Sequence, residues 1–180
     1  MSKPRVVCLD LSGTVGFSFW DGYSHIVNSG SYSIPKSEWN NGLFFVRYRK
    51  FLDGLRVQYD FDTCIIEAPI LVKEGPKSTK VETAMRLMGL VAVSEYLCEV
   101  WGISRVFTVD HKAVRRDFLG QGNVPVGRDK VKAAVIAECK RRGWNPIDDN
   151  EADALAMLDH YARFKLKAEC TWPARKGGLL

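Results

Sequence analysis

Three β-rich runs joined by tight turns open this chain, and after them strand-sized and helix-sized segments alternate. The first run, Arg5-Val-Val-Cys-Leu-Asp-Leu, is broken by Ser12-Gly13. Residues 15–20 return as a second strand, and beyond the Asp21-Gly22 turn residues 25–34 supply a third. Short turns between such runs make antiparallel neighbours. A helix follows over about residues 38–59, with Pro35-Lys36-Ser37 at its cap, and then a buried strand over residues 61–67. A polar loop at residues 73–79 leads to a long helix over about residues 81–101, a strand at 105–109 and a short basic helix at 111–119. Helices at 128–142 and about 150–165 complete the order. Strands separated by helices pair in parallel through crossovers. The expectation is an α/β fold with a mixed five-stranded sheet, three antiparallel strands and then two parallel ones, flanked by helices. Several folds share this order, so it names no chemistry.

At 180 residues the chain is one ordinary domain, expected over residues 1–164, with a basic tail at 165–180 that carries Lys165, Lys167, Arg175 and Lys176. No apolar stretch approaches a membrane span, and Met-Ser-Lys-Pro-Arg leads straight into the first strand with no secretory signal. No membrane partner is expected. Five cysteines without any Cys-x-x-Cys spacing argue against a disulfide framework and a zinc knuckle, and point to a reducing cytoplasm. The net charge of +5 is compatible with nucleic acid, and the basic residues crowd between Arg105 and Arg142.

The informative residues are acids in apolar surroundings. Asp10 follows Cys8-Leu9, and Glu67 follows Cys64-Ile65-Ile66. A strand aspartate beside a turn is as often a turn-capper, but two carboxylates ending two buried strands are costly unless paired, hydrogen-bonded or bound to a cation. Hard oxygen ligands of this kind suit Mg²⁺ or Mn²⁺. The third element is Asp148-Asp-Asn-Glu-Ala-Asp-Ala-Leu-Ala. The helix macrodipole explains Asp148 to Glu151 as N-terminal acids, but Asp153 lies beyond the cap in the apolar half. Asn150 and Asp149, three and four residues before it, share its face. Alternating alanines keep this helix slender enough to approach a sheet closely. Two strand acids and a helix acid form the layout of a two-metal phosphodiester site.

With these residues in hand, the chain resembles the RuvC-like Holliday-junction resolvases of the ribonuclease-H-like superfamily, in particular the phage and prophage branch. The likeness is carried by Cys-Leu-Asp10-Leu-Ser-Gly-Thr-Val-Gly-Phe-Ser, Ile-Ile-Glu67-Ala-Pro, Val114-Arg-Arg-Asp-Phe-Leu-Gly through Gly127-Arg-Asp-Lys-Val-Lys, and Asn150-Glu-Ala-Asp153-Ala-Leu-Ala. It implies a homodimer in the cytoplasm of a bacterial cell or phage-infected host that nicks branched DNA symmetrically, with two Mg²⁺ per site (Mn²⁺ substituting). By position it makes Asp10, Glu67 and Asp153 the metal carboxylates. Where the family commonly has a further acid this chain has Asn150, so either Asn150 or Asp149 is the fourth ligand. For the family's catalytic lysine near the scissile phosphate the resemblance makes Lys130 the better candidate, with Arg115 second. DNA contacts are expected from Lys73, Lys77, Lys80, Arg115, Arg116, Arg128, Lys130 and Lys132. A solvated helix face accounts equally well for several of these charges. A ribonuclease-H-like nuclease for RNA–DNA hybrids, forks or flaps, and a non-cutting branched-DNA binder favoured by Asn150, are the competing readings. The long helix is expected to supply part of the dimer interface through Ala84, Leu87, Met88, Val91 and Leu97.

Overall fold

The computed structural model describes residues 3–24, 26–69, 80–120 and 124–166. Strands β1 (Val6–Asp10), β2 (Thr14–Trp20) and β3 (Asn28–Ser33) are followed by α1 (Asn41–Tyr59), β4 (Thr63–Glu67), α2 (Val81–Val100) and β5 (Arg105–Val109). Three helices end the described chain: α3 (His111–Leu119), α4 (Arg128–Arg141) and α5 (Asp149–His160), the last continued by a π-helical turn at Tyr161–Lys165. The five strands lie in the order β3-β2-β1-β4-β5. The pairs β1–β2 and β2–β3 are antiparallel, while β1–β4 and β4–β5 are parallel, which is the mixed sheet expected from the sequence.

Strand alternation divides the core into two layers. Val7, Leu9, Cys64 and Ile66 face α1 and α2, where Phe44, Tyr48, Leu52, Leu90 and Leu97 are buried against them. Val6, Cys8 and Ile65 face the other way, onto α5 with α3 and α4 beside it. By the same alternation Asp10 and Glu67 belong to the α5 face. They are also one residue past the last β1–β4 pair, Leu9↔Ile66, so they end neighbouring parallel strands side by side.

Helix α5 is buried on all sides from Glu151 to Asp159. Its alanines permit this, and so does Gly16 on β2: a Cβ there would stand 2.0 Å from the Asn150 carbonyl oxygen. The helix start is tied down by side chains. Asp148 accepts from the Glu151 amide at 2.8 Å, while Glu151 accepts from the Ile147 amide at 2.8 Å and from Ser29 Oγ at 2.6 Å. Ser31 Oγ donates to Asp148 at 2.6 Å. The serines of β3 thus fix the end of the helix that carries Asp153.

Two boundaries differ from the sequence reading. Helix α1 begins at Asn41 because Asn40, whose side chain accepts from the Leu43 amide at 3.0 Å, is the cap; residues 36–38 form a separate 3₁₀ turn. Strand β3 starts at Asn28, and His25 lies outside the described residues. Of the expected tail, residues 167–180 also lie outside them. No described helix is long and apolar enough to cross a membrane.

Candidate active site

Asp10, Glu67, Asp149, Asn150 and Asp153 all line one cavity of about 530 Å³ at the C-terminal ends of β1 and β4. Ser12, His111, Arg115, Arg128 and Lys132 line it too, so an acidic floor meets a basic rim. Asp10 is 7% exposed. Its carboxyl is held well above the usual carboxylate range, first by burial and then by the hydrogen bond and charge of Glu67, with Asp153 adding to the same effect. Two acids in one buried corner keep a proton between them unless a cation takes its place.

Asp153 is supplied with a cation by the protein itself. Arg115 on α3 grips it with two bonds, Nη2 to Oδ2 at 2.6 Å and Nε to Oδ1 at 3.1 Å. Asp149 is ion-paired with Lys132, which outweighs burial and holds the carboxyl below its usual range. Asn150 takes a different partner: Ser12 Oγ donates to its Oδ1 at 3.3 Å. Among the described residues no three acidic, imidazole or thiol groups close into a metal cage. The reason is visible in the pairing, since Asp153 turns to Arg115 and Asp149 to Lys132.

The donor set nevertheless fits a hard divalent cation. Every candidate ligand is a carboxylate or amide oxygen, and at Asp10 the effects of burial, Glu67 and Asp153 outweigh the opposing charge of Arg115.

The basic residues divide according to helix rotation. Arg128 and Lys132, four apart on α4, face the cavity with Val131. Lys130, between them in sequence, points away, is exposed and does not line the cavity. Arg116, one residue from Arg115, is likewise exposed and lies 4.0 Å from Asp117. Lys80 is exposed at the start of α2, and Lys73 and Lys77 lie outside the described residues. Sequence reasoning did not single out Ser12 or Gly16. Ser12 was signalled by its spacing, two residues after Asp10 and so on the same side of the chain.

No protein-family model matches the sequence, and no curated protein matches it. Solved structures do resemble it in fold. Thermus thermophilus RuvC in complex with a Holliday junction substrate superposes with a TM-score of 0.65 at 15% identity, covering 89% of this chain and 95% of that one. A second Thermus thermophilus RuvC structure gives a TM-score of 0.57 at 14% identity, with 88% and 95% covered. The yeast mitochondrial Holliday junction resolvase Ydc2 gives 0.58 at 12% identity, with 92% and 84% covered. The mixed sheet with α1 and α2 on one face and α3 to α5 on the other is therefore the ribonuclease-H-like fold in the form that RuvC and Ydc2 have it.

Proposed function

We propose that this chain is a metal-dependent endonuclease that resolves four-way and other branched DNA junctions by paired nicks. The observation that carries the reading is the meeting of Asp10, Glu67 and Asp153 in one cavity whose rim holds Arg115, Arg128 and Lys132. Asp10, Glu67 and Asp153 would hold two Mg²⁺, or Mn²⁺ in their place, with Asn150 completing the set through its amide oxygen. Bound there, such ions supply a more acidic water as nucleophile and stabilise charge on the leaving 3′ oxygen. Asn150 adds a ligand without adding charge. Asp149 stays with Lys132 and keeps that ammonium at the cavity edge. With Asp153 engaged in holding a cation, Arg115 would be free to present its planar fork to the scissile phosphate. Lys132 and Arg128 hold the phosphates beside it, and the exposed Lys80, Arg116 and Lys130 engage backbone further along the arms, as do Lys73 and Lys77.

Symmetric nicking needs two sites; of the residues expected on a dimer face Leu97 is buried in the core, Val91 packs against it and Leu87 lines the cavity, so the apolar face of α2 left for a second copy is Met88 with Met85, Tyr96 and Val100. The substrate places the work in the cytoplasm of a bacterial cell or a phage-infected host.

The test is a synthetic four-way junction incubated with the protein and Mg²⁺. Paired nicks near the crossover are expected, and Asp10→Asn or Asp153→Asn should slow them by roughly a hundredfold or more. Cutting by either variant at the unaltered rate would overturn the site. Faster cutting of RNA–DNA hybrid or of forks in the same assay would move the substrate, and tight junction binding without nicks in any Mg²⁺ or Mn²⁺ would make the chain a binder.

A further inference from the structure

Beside the acidic cavity lies a second hollow of about 230 Å³, and Ser12, Thr83 and Leu87 stand in the walls of both. Its chemistry differs from that of its neighbour. Phe44 and Leu90 are buried at its base, Gly13 and Trp39 form one side, Arg86 another, and no carboxylate lines it.

Trp39 is fixed in place by three contacts. Its Nε1 donates to the Ile34 carbonyl at 2.8 Å, and its ring meets Phe44 edge-on with centroids 6.0 Å apart. The β1–β2 turn closes on its six-membered ring so tightly that a Cβ at Gly13 would stand 2.3 Å from Cζ2. Over this immobilised indole the guanidinium carbon of Arg86 sits 4.8 Å from the ring centroid. Among the described residues Arg86 makes no ion pair, and the contact its guanidinium makes is with the indole. A stacked guanidinium has a second planar face, with N–H donors around its rim.

An apolar slot with a planar cation along one side and the Thr83 hydroxyl in its wall is complementary to a flat ring with an acceptor on its edge. The acidic cavity next door is where the preceding reading puts the scissile phosphate, and a base hangs from the nucleotide on either side of it. We infer that this hollow receives one unstacked nucleobase of the strand being cut, stacked on the Arg86–Trp39 pair, an inference that rests on the nuclease reading. Crossover bases of a junction have already lost a stacking neighbour, so drawing one out costs less there than in a duplex. Arg86 and Trp39 then set where along a junction the enzyme cuts.

The test places a single abasic site at each position around the crossover and measures binding of the full chain in Ca²⁺ and cutting in Mg²⁺. At one position next to the cut the unaltered protein should lose roughly 5- to 150-fold in affinity, the range expected for one stacked base. That penalty should vanish in Arg86→Ala and also in Arg86→Lys, which keeps the charge but not the plane. A purely electrostatic role would leave Arg86→Lys as the unaltered protein and weaken Arg86→Ala equally at every position. The inference is overturned if junctions are bound and cut but no position carries a penalty, or if Arg86→Ala carries the same one; the nuclease reading then stands. If no junction is bound at all, that reading falls and this inference with it. The abasic series on the unaltered protein decides the matter even if a melting curve shows an Arg86 variant to be misfolded.

Discussion

Burial and the neighbouring Glu67 hold the Asp10 carboxyl of the folded protein well above the 3.8 of the unfolded chain. A carboxyl whose folded value is raised adds stability that is complete below the unfolded value and is lost as pH rises through the folded one. In chelator, the unaltered protein should therefore lose melting temperature between acidic and neutral pH in a way that Asp10→Asn does not. At pH 7.5 Asp10→Asn should melt a few degrees higher than the unaltered protein without metal, and should gain less from added Mg²⁺. Arg115 acts in the opposite direction. Arg115→Gln leaves Asp153 without its cation and should cost about 3 kcal/mol in chelator, by the precedent of broken buried pairs. Calorimetry of both variants, with and without Mg²⁺, checks the signs. Equal melting of Asp10→Asn and unaltered protein in chelator at pH 7.5 would show that the Asp10–Glu67 corner carries no such strain.

Among the elements, α5 has the least room to move. A methyl at Gly16 meets the Asn150 backbone rather than a flexible side-chain tip, so the helix must lift or the strand must bend. Gly16→Ala is expected to destabilise by roughly 1–3 kcal/mol and to slow cutting beyond what stability explains, because Asn150 and Asp153 move with the helix. A urea melt paired with single-turnover cutting at a temperature where both proteins are folded separates the two effects. This close approach also shows what could be read from the sequence. The alternating alanines and the apolar runs ending in Asp10 and Glu67 were plain, because burial and strand period leave a pattern in residue type. Which partner each charge takes was not, because one step along a helix turns a side chain by 100°. That rotation takes Lys130 away from the cavity and brings Arg128 and Lys132 to it. The capping serines of β3 were equally silent: Ser29 and Ser31 read as ordinary strand polarity until the α5 start lies against them.

For the molecule as a whole, the proposed function makes the charges around the cavity the determinant of how the protein would meet DNA. Junction affinity should fall linearly with salt on a log–log plot, and Lys132→Ala should reduce the slope by about 1. Arg141→Ala, which removes a cation paired with Glu138 away from the cavity, should leave the slope unchanged. Identical slopes for all three proteins would take Lys132 off the phosphate path. The position of α5 also bears on how such a protein is made. Its residues are bonded to strands laid down far earlier; Ser18 Oγ, for instance, donates to the Ala154 carbonyl 136 residues away. A ribosome therefore exposes β1 and β4 long before it delivers the helix that fills one face of the sheet and brings Asp153 to Asp10. Until that last delivery the nascent chain has an open core and an acidic corner that still lacks Asp153.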